Sequence, residues 1–423
     1  MKKNKKLYIA CMCFIILIVS TLITRTMQND TYFTIATGNQ IIENGYDNLD
    51  HLSWHEDLNF YKLRWIFDIV IATIYNNFSF EGIYIFVLII ASITGITLFN
   101  ILLKQKTKII VAFVITLFAM ICTIDIWGFA ARAQIISYLL LLLEVFVIEK
   151  LIENKKSIYY ICLFGISVLI MNFHASVWMM SIILILPYLA EAIFNKLKSK
   201  KESSKIIVRD ISIKSILIAI TAIVIGSLIS PIGIYAYTYM FKVVGGVSSK
   251  FIGELQITNI VENAGILIVL TIFIIMVLGT KTKIRLSDLI MFSGLTIMAI
   301  MAIRNIEYLY IIGSIVIARI ITEFLNKYDN ENLMDKAATM LQKNNIFIVV
   351  ILIVMINSIA SYIGGLKQPY IDETNYPVGA VDYIKKHIDY EKLKVFNHFN
   401  FGSYMEFCGI PAFVDSRSEI YTE

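Results

Sequence analysis

Runs of apolar residues long enough to cross a hydrocarbon core recur along this chain and constrain its fold more than any other feature. They fall at about 7 to 26, 82 to 103, 109 to 126, 134 to 149, 157 to 173, 175 to 194, 213 to 231, 263 to 280, 287 to 303, 305 to 325 and 346 to 365. A bilayer asks for roughly 20 such residues per helix, because backbone polar groups in lipid must be paired inside the segment. The spacing predicts an all-α polytopic membrane protein with about eleven transmembrane helices. Of the residues, 58% are hydrophobic and 16% charged, and mean hydropathy is +0.73, which excludes an ordinary soluble globular protein. The formal charge of +5 does not point to nucleic acid, since in such a chain what matters is which loops hold the Lys and Arg.

The first apolar run follows Lys2, Lys3, Lys5 and Lys6, but no small-x-small cleavage site follows it, so it reads as a helix that stays in the membrane. The five Cys (11, 13, 122, 162 and 408) form no spaced framework, and four of them lie in apolar segments, which indicates neither a disulfide scaffold nor a thiolate metal site.

Numbering the spans places alternate loops on one side, and the basic residues sort accordingly. Lys104, Lys106 and Lys108, then Lys150, Lys155 and Lys156, the stretch Lys196 to Lys214, Lys281, Lys283 and Arg285, and finally Lys327, Lys336 and Lys343 share a side with the amino terminus. By the positive-inside rule that side is the cytoplasm. The expected organisation is a membrane domain over 1–365, whose loop 27–81 faces outward, and an extracytoplasmic tail over 366–423. The outer face then holds Asp30, Asp68, Arg132, His174, Lys242, Lys250, Glu254 and Arg304, and all five His residues (51, 55, 174, 387 and 398).

Loop 27–81 is too long and too aromatic to be a plain connector. Tyr32 to Glu43 places Phe33, Ala36, Ile41 and Ile42 largely on one side of a helix, which predicts a short amphipathic helix at the interface, ended by Gly45. Residues 63 to 76, interrupted by Asp68, predict a second surface segment. In the tail, Tyr376-Pro377 predicts a helix to about His387, with strands at Lys394 to Phe399 and Ala412 to Asp415 around a helical turn at Gly402 to Cys408. That makes a small α/β segment with too little core to stand alone; it is either a fragment or leans on the membrane part.

Asp30-x-Tyr32 with Gly38 and Gly45 after it, Arg132-Ala-Gln134, Asn172-x-His174, Ser230-Pro-x-Gly233, Glu254-x-Gln256, Arg304-Asn305, Asn400-Phe-Gly-Ser-Tyr404 and Phe413-Val-Asp-Ser-Arg417 together resemble bacterial GT-C glycosyltransferases over nearly the whole chain. The resemblance implies a GT-C-like core, transfer of a sugar from a polyprenyl-phosphate carrier to a glycan, lipid or protein acceptor on the outer side, and Asp30 as base. Relatives often carry two close acids in the first loop, whereas Asp30 stands between Asn29 and Thr31; use of a divalent metal is therefore left open, as is Glu254 as a second catalytic carboxylate. The chemistry needs a base for the acceptor hydroxyl and cations for the departing phosphate, and Arg132 and Arg304 suit phosphate by their planar fork. His51, His55 and His174 are candidates for binding phosphate, metal or sugar, against the blander role of structural hydrogen-bonders. Trp54 is a candidate sugar platform, against interfacial anchoring. Two other classes remain: a flippase or transporter of lipid-linked glycans, and a non-catalytic membrane protein whose outer tail recruits partners. No internal repeat or pair of broken spans favours transport.

Overall fold

The computed structural model of the chain describes residues 5–126, 128–197, 205–238, 253–343, 346–365, 368–390 and 393–421. These are mostly helical: α1 (Lys5–Leu22), α2 (Asn29–Asn44), α3 (Trp65–Lys104), α4 (Ile109–Asp125), α5 (Gln134–Asn154), α6 (Ile158–His174), α7 (Trp178–Leu197), α8 (Ile213–Ser227), α9 (Ala264–Ile274), α10 (Leu286–Met301), α11 (Ile306–Ile311), α12 (Gly313–Tyr328), α13 (Leu333–Lys343) and α14 (Ile346–Gly365), with α15 (Val378–His387) and α16 (Phe399–Phe407) in the tail. Among the described residues four helical stretches, Lys5–Leu22, Trp65–Lys104, Ile158–Leu197 and Ile303–Tyr328, are long and apolar enough to cross a membrane, and shorter apolar helices accompany them. The protein is membrane-embedded.

Two of the long stretches are broken where the sequence changes character. In α3 the backbone turns at Ser79, where φ is 57°, an unfavoured region for a residue with a Cβ. Before it, Asp68 and Ala72 pack against Gly38 of α2, and after it, Gly95 packs against Ile15 of α1. Between α6 and α7 the chain leaves helical geometry at His174 and makes a 3-10 turn at Ala175–Val177. Inside the bundle, α1 buries Cys11, Ile15 and Val19, spaced four residues apart on one face. Gly95 of α3 permits that approach, since a Cβ there would lie 2.9 Å from the Ile15 side chain.

α2 differs from the amphipathic helix expected of it. Gly45 does end it, with φ 85° and its N–H bonded to the Ile41 carbonyl, but every residue from Thr31 to Gly38 is buried. The reason is that α2 is covered twice, by α3 on one side and by α16 of the tail on another. The contact with α3 is close: a Cβ on Gly38 would stand 2.1 Å from the Asp68 carbonyl oxygen.

The expected tail strands are also corrected. Helices form at α15 and α16, but among the described residues Lys394 to His398 and Ala412 to Asp415 pair through a side chain instead of a ladder. The Asn397 amide donates to the Val414 carbonyl at 2.7 Å and accepts the Phe413 N–H at 2.7 Å. The one backbone bridge of this region joins Ala412 to Ser53 in loop 27–81. A parallel pair that the sequence does not signal, β1 (Ile206–Ile207) with β2 (Ile284–Arg285), lies at the Lys-rich end of the bundle. Beside it, Arg209 binds Glu149 at 3.0 Å and Glu191 at 2.9 Å, Arg319 binds Glu149 at 3.0 Å and also Asp288, and Arg285 reaches Glu149 at 3.2 Å. Three guanidinium groups thus meet three buried carboxylates, the condition under which buried charge is tolerated.

Candidate functional site

A cavity of about 530 Å³ opens at the end of the bundle remote from β1 and β2. Its walls come from the link between α1 and α2, the turn between α4 and α5, a 3-10 turn at Gly253–Leu255, another at Ile303–Asn305 running into α11, and residues 372 to 376 of the tail. Backbone bonds fix these pieces. The Ile303 N–H donates to the Gln256 carbonyl at 3.1 Å and the Thr258 N–H to the Ile300 carbonyl at 3.0 Å, which holds Glu254 and Arg304 beside each other. The Met27 N–H donates to the Tyr370 carbonyl at 2.8 Å and so draws the tail over the α1–α2 link. Gly128 shapes the α4–α5 turn: a Cβ there would lie 2.7 Å from the Thr123 carbonyl oxygen.

Arg132, Glu254 and Arg304 all line the cavity, with Gln134, Glu307 and Tyr376. Asp30 stands behind Arg132, its Oδ2 3.2 Å from Nε, while another arm of the same guanidinium binds Glu254. Burial alone would lower the pKa of Arg132, but the Asp30 and Glu254 carboxylates outweigh it and hold it above the ordinary value. Tyr376 is pushed up to about 12, first by burial and then by the Asp30 charge. Arg304 is different. It is half-buried, and among the described residues no carboxylate lies within ion-pair distance of it. Glu307, one helical turn further on, is buried and accepts the Tyr138 hydroxyl on Oε2.

The remaining sequence candidates are elsewhere. His174 is buried at the end of α6, with Nδ1 2.8 Å from the Ser137 hydroxyl. Trp54 donates its indole N–H to the Val395 carbonyl at 3.0 Å and stacks on Phe413, and the Lys394 ammonium lies 4.8 Å from its ring centre. His55 stacks on Trp54 and places Nε2 2.8 Å from the Phe413 carbonyl. His51 lies 2.6 Å from Asp47, whose pKa falls to about 2 because hydrogen bonds from Lys62 and His51 outweigh its burial. Trp54 and His55, both partly exposed, form part of the seat on which the tail docks. Lys242 and Lys250 lie outside the described residues.

The same docking surface contains the Arg417 cluster, which sequence reading missed. The Arg417 guanidinium, 1% exposed, binds Asp50 at 2.5 Å, Glu406 at 2.8 Å and Asp415, over the Phe60 ring. Glu307 was missed too, although an acid three residues after Arg304 in an apolar run is itself a signal.

No protein-family model matches this chain, and no curated protein matches it either. Among the described residues no three His, Cys, Asp or Glu side chains come together as a metal ion requires. Asp30 and Glu254, the two candidate catalytic carboxylates, are bridged by Arg132.

Proposed function

We propose that this chain is a GT-C-type membrane glycosyltransferase, moving a sugar from a polyprenyl-phosphate donor to an acceptor at the extracytoplasmic face. In this reading about eleven helices cross the membrane, the amino terminus is cytoplasmic, and the cavity and tail lie outside. The observation that carries it is Arg304: a half-buried guanidinium with no described carboxylate within ion-pair distance, on the wall of a cavity of about 530 Å³ that also contains carboxylates. An unpaired guanidinium is costly to shield from water unless an anion completes it, and its fork matches two phosphate oxygens. The carboxylates provide for the other half of the reaction, removal of the acceptor proton.

The test is turnover by the purified chain in bilayers with radiolabelled polyprenyl-phosphate hexoses. Transfer or donor cleavage is expected; movement of donor across the bilayer without cleavage would replace the transferase with a transporter. Orientation is checked with single Cys residues in intact cells and an impermeant thiol reagent. Asn48→Cys and Thr374→Cys should be labelled, and Ser203→Cys protected; labelling of Ser203→Cys would invert the arrangement.

A further inference from the structure

We infer that Glu307 takes the acceptor proton, and that Asp30 acts instead as a positioning residue for Arg132; this rests on the glycosyl-transfer reading above. Four carboxylates stand at or just behind the cavity wall, Asp30, Glu254, Glu307 and Asp372, and both oxygens of Asp372 are taken up by hydrogen bonds from Thr374 and Asn375. Asp30 and Glu254 both spend an oxygen on the same guanidinium, and a carboxylate committed to a cation is a weak base because its charged form is the one stabilised. Asp30 is also the one of the four that does not line the cavity.

Glu307 has neither handicap. It lines the cavity, and among the described residues no cation pairs with it. Tyr138 donates to Oε2, which fixes the carboxylate and leaves Oε1 as the open oxygen. The Tyr138 ring is itself held between Phe129 and Tyr308, at centroid distances of 5.5 and 6.0 Å. Gly128 faces Oε1, and a Cβ there would stand 3.1 Å from it, so the glycine keeps that side clear. Glu307 follows Arg304 by one turn, so base and phosphate-binding cation sit on a single rigid element, an arrangement that favours fixed geometry between them.

The step balances. The acceptor O–H proton passes to Oε1 and the acceptor oxygen bonds to the anomeric carbon. The bond from that carbon to the phosphate oxygen breaks, and its electron pair leaves with the phosphate, whose charge Arg304 receives.

The experiment measures release of polyprenyl phosphate from radiolabelled polyprenyl-phosphate hexoses as a function of pH, using the full chain in bilayers. Glu307→Gln should lower kcat on the order of 100-fold or more, as removal of a general base does. It should also abolish the acidic limb of the pH profile while leaving the donor KM within about threefold. Asp30→Asn should chiefly raise the donor KM and keep the acidic limb. A Glu307→Gln enzyme with kcat within about threefold of wild type, or loss of the acidic limb in Asp30→Asn, overturns the assignment. If Glu307→Gln is not recovered folded, Glu307→Asp decides: a lower kcat with a displaced acidic limb supports the assignment, and an unchanged profile overturns it. Wild-type protein that cleaves none of the donors overturns the transferase reading and this inference together, an outcome distinct from active wild type with an indifferent Glu307.

Discussion

Two arginines near the cavity-bearing end each gather several carboxylates, and they do opposite things. Arg132 holds Asp30 and Glu254 in a cluster that is still partly open, its Glu254 partner being 42% exposed. Arg417 holds Asp50, Glu406 and Asp415, all fully buried, and is itself out of reach of water. An open cluster can exchange a partner for a ligand at small cost, because water stabilises whichever group is released. A closed one cannot, since any group released there stays buried and unpaired. The difference assigns Arg132 to the cavity and Arg417 to the joint between loop 27–81 and the tail.

The strongest attempt to break this contrast is Arg417→Met. It leaves three buried carboxylates without their cation, and removal of one partner from a buried ionic cluster costs about 3–5 kcal/mol. The expected outcome is release of the tail, read as rapid proteolysis between residues 368 and 421 and a lower thermal midpoint. Arg132→Met should leave both nearly unchanged while reducing donor turnover. Equal loss of stability in the two variants would dissolve the distinction.

How much of this was legible in the sequence depends on how far apart the partners are. Arg132, Glu254 and Arg304 could be collected because each adjoins an apolar run, and the end of a bundle is where such residues must go. The caps of α2 and α15 were legible in Gly45 and Pro377, since backbone chemistry there is local. What could not be read was pairing across long separations. Trp54 and His55 looked like ligand-binding residues, and their partners, Val395 and Phe413, are more than 300 positions away. The Asn397 amide replaces the strand pairing that alternation at 394–399 suggested. Arg285 read as one more inner positive charge, whereas it joins Glu149 in a cluster built from five parts of the chain.

A smaller effect is expected at Arg304, and it sharpens what an open cationic site means. If Arg304 receives a phosphate through its fork, Arg304→Lys replaces two directed bonds with a point charge. Donor binding should weaken by about 1–3 kcal/mol, the range for hydrogen bonds to charged groups, with expression and membrane insertion intact. A residue that merely snorkels to the headgroups needs only a long stem and a positive tip, so Lys would serve as well as Arg. Equal donor titrations for the two proteins, with loss only in Arg304→Ala, would reject bidentate recognition.

The smallest effect lies inside the closed cluster, at Glu406. One guanidinium cannot neutralise three carboxylates, so at least one of them holds a proton. Burial pushes Glu406 well above the usual carboxylate range, against the pull of Arg417 and with the push of Asp415, to which its protonated carboxyl hydrogen-bonds. Asp415 goes the other way, because Arg417 outweighs its burial and holds it low. A raised carboxyl in the folded state means that the unfolded chain loses its proton first, from about pH 4.3 upward. The folded protein then binds more protons than the unfolded one, and stability falls with rising pH through that window. Asp415 contributes the opposite slope, losing stability as pH drops below about 4. Glu406→Gln carries the neutral form permanently, so it should remove the loss above pH 4.3 and leave the acid-side loss in place. At pH 7.5 the variant should match wild type within about 1 kcal/mol or exceed it, since trading a buried charge for a neutral group of the same size is often harmless. Thermal midpoints measured between pH 3 and 9 decide the matter: a Glu406→Gln protein that is several degrees less stable throughout would mean that Glu406 is ionised and that Arg417 depends on all three acids.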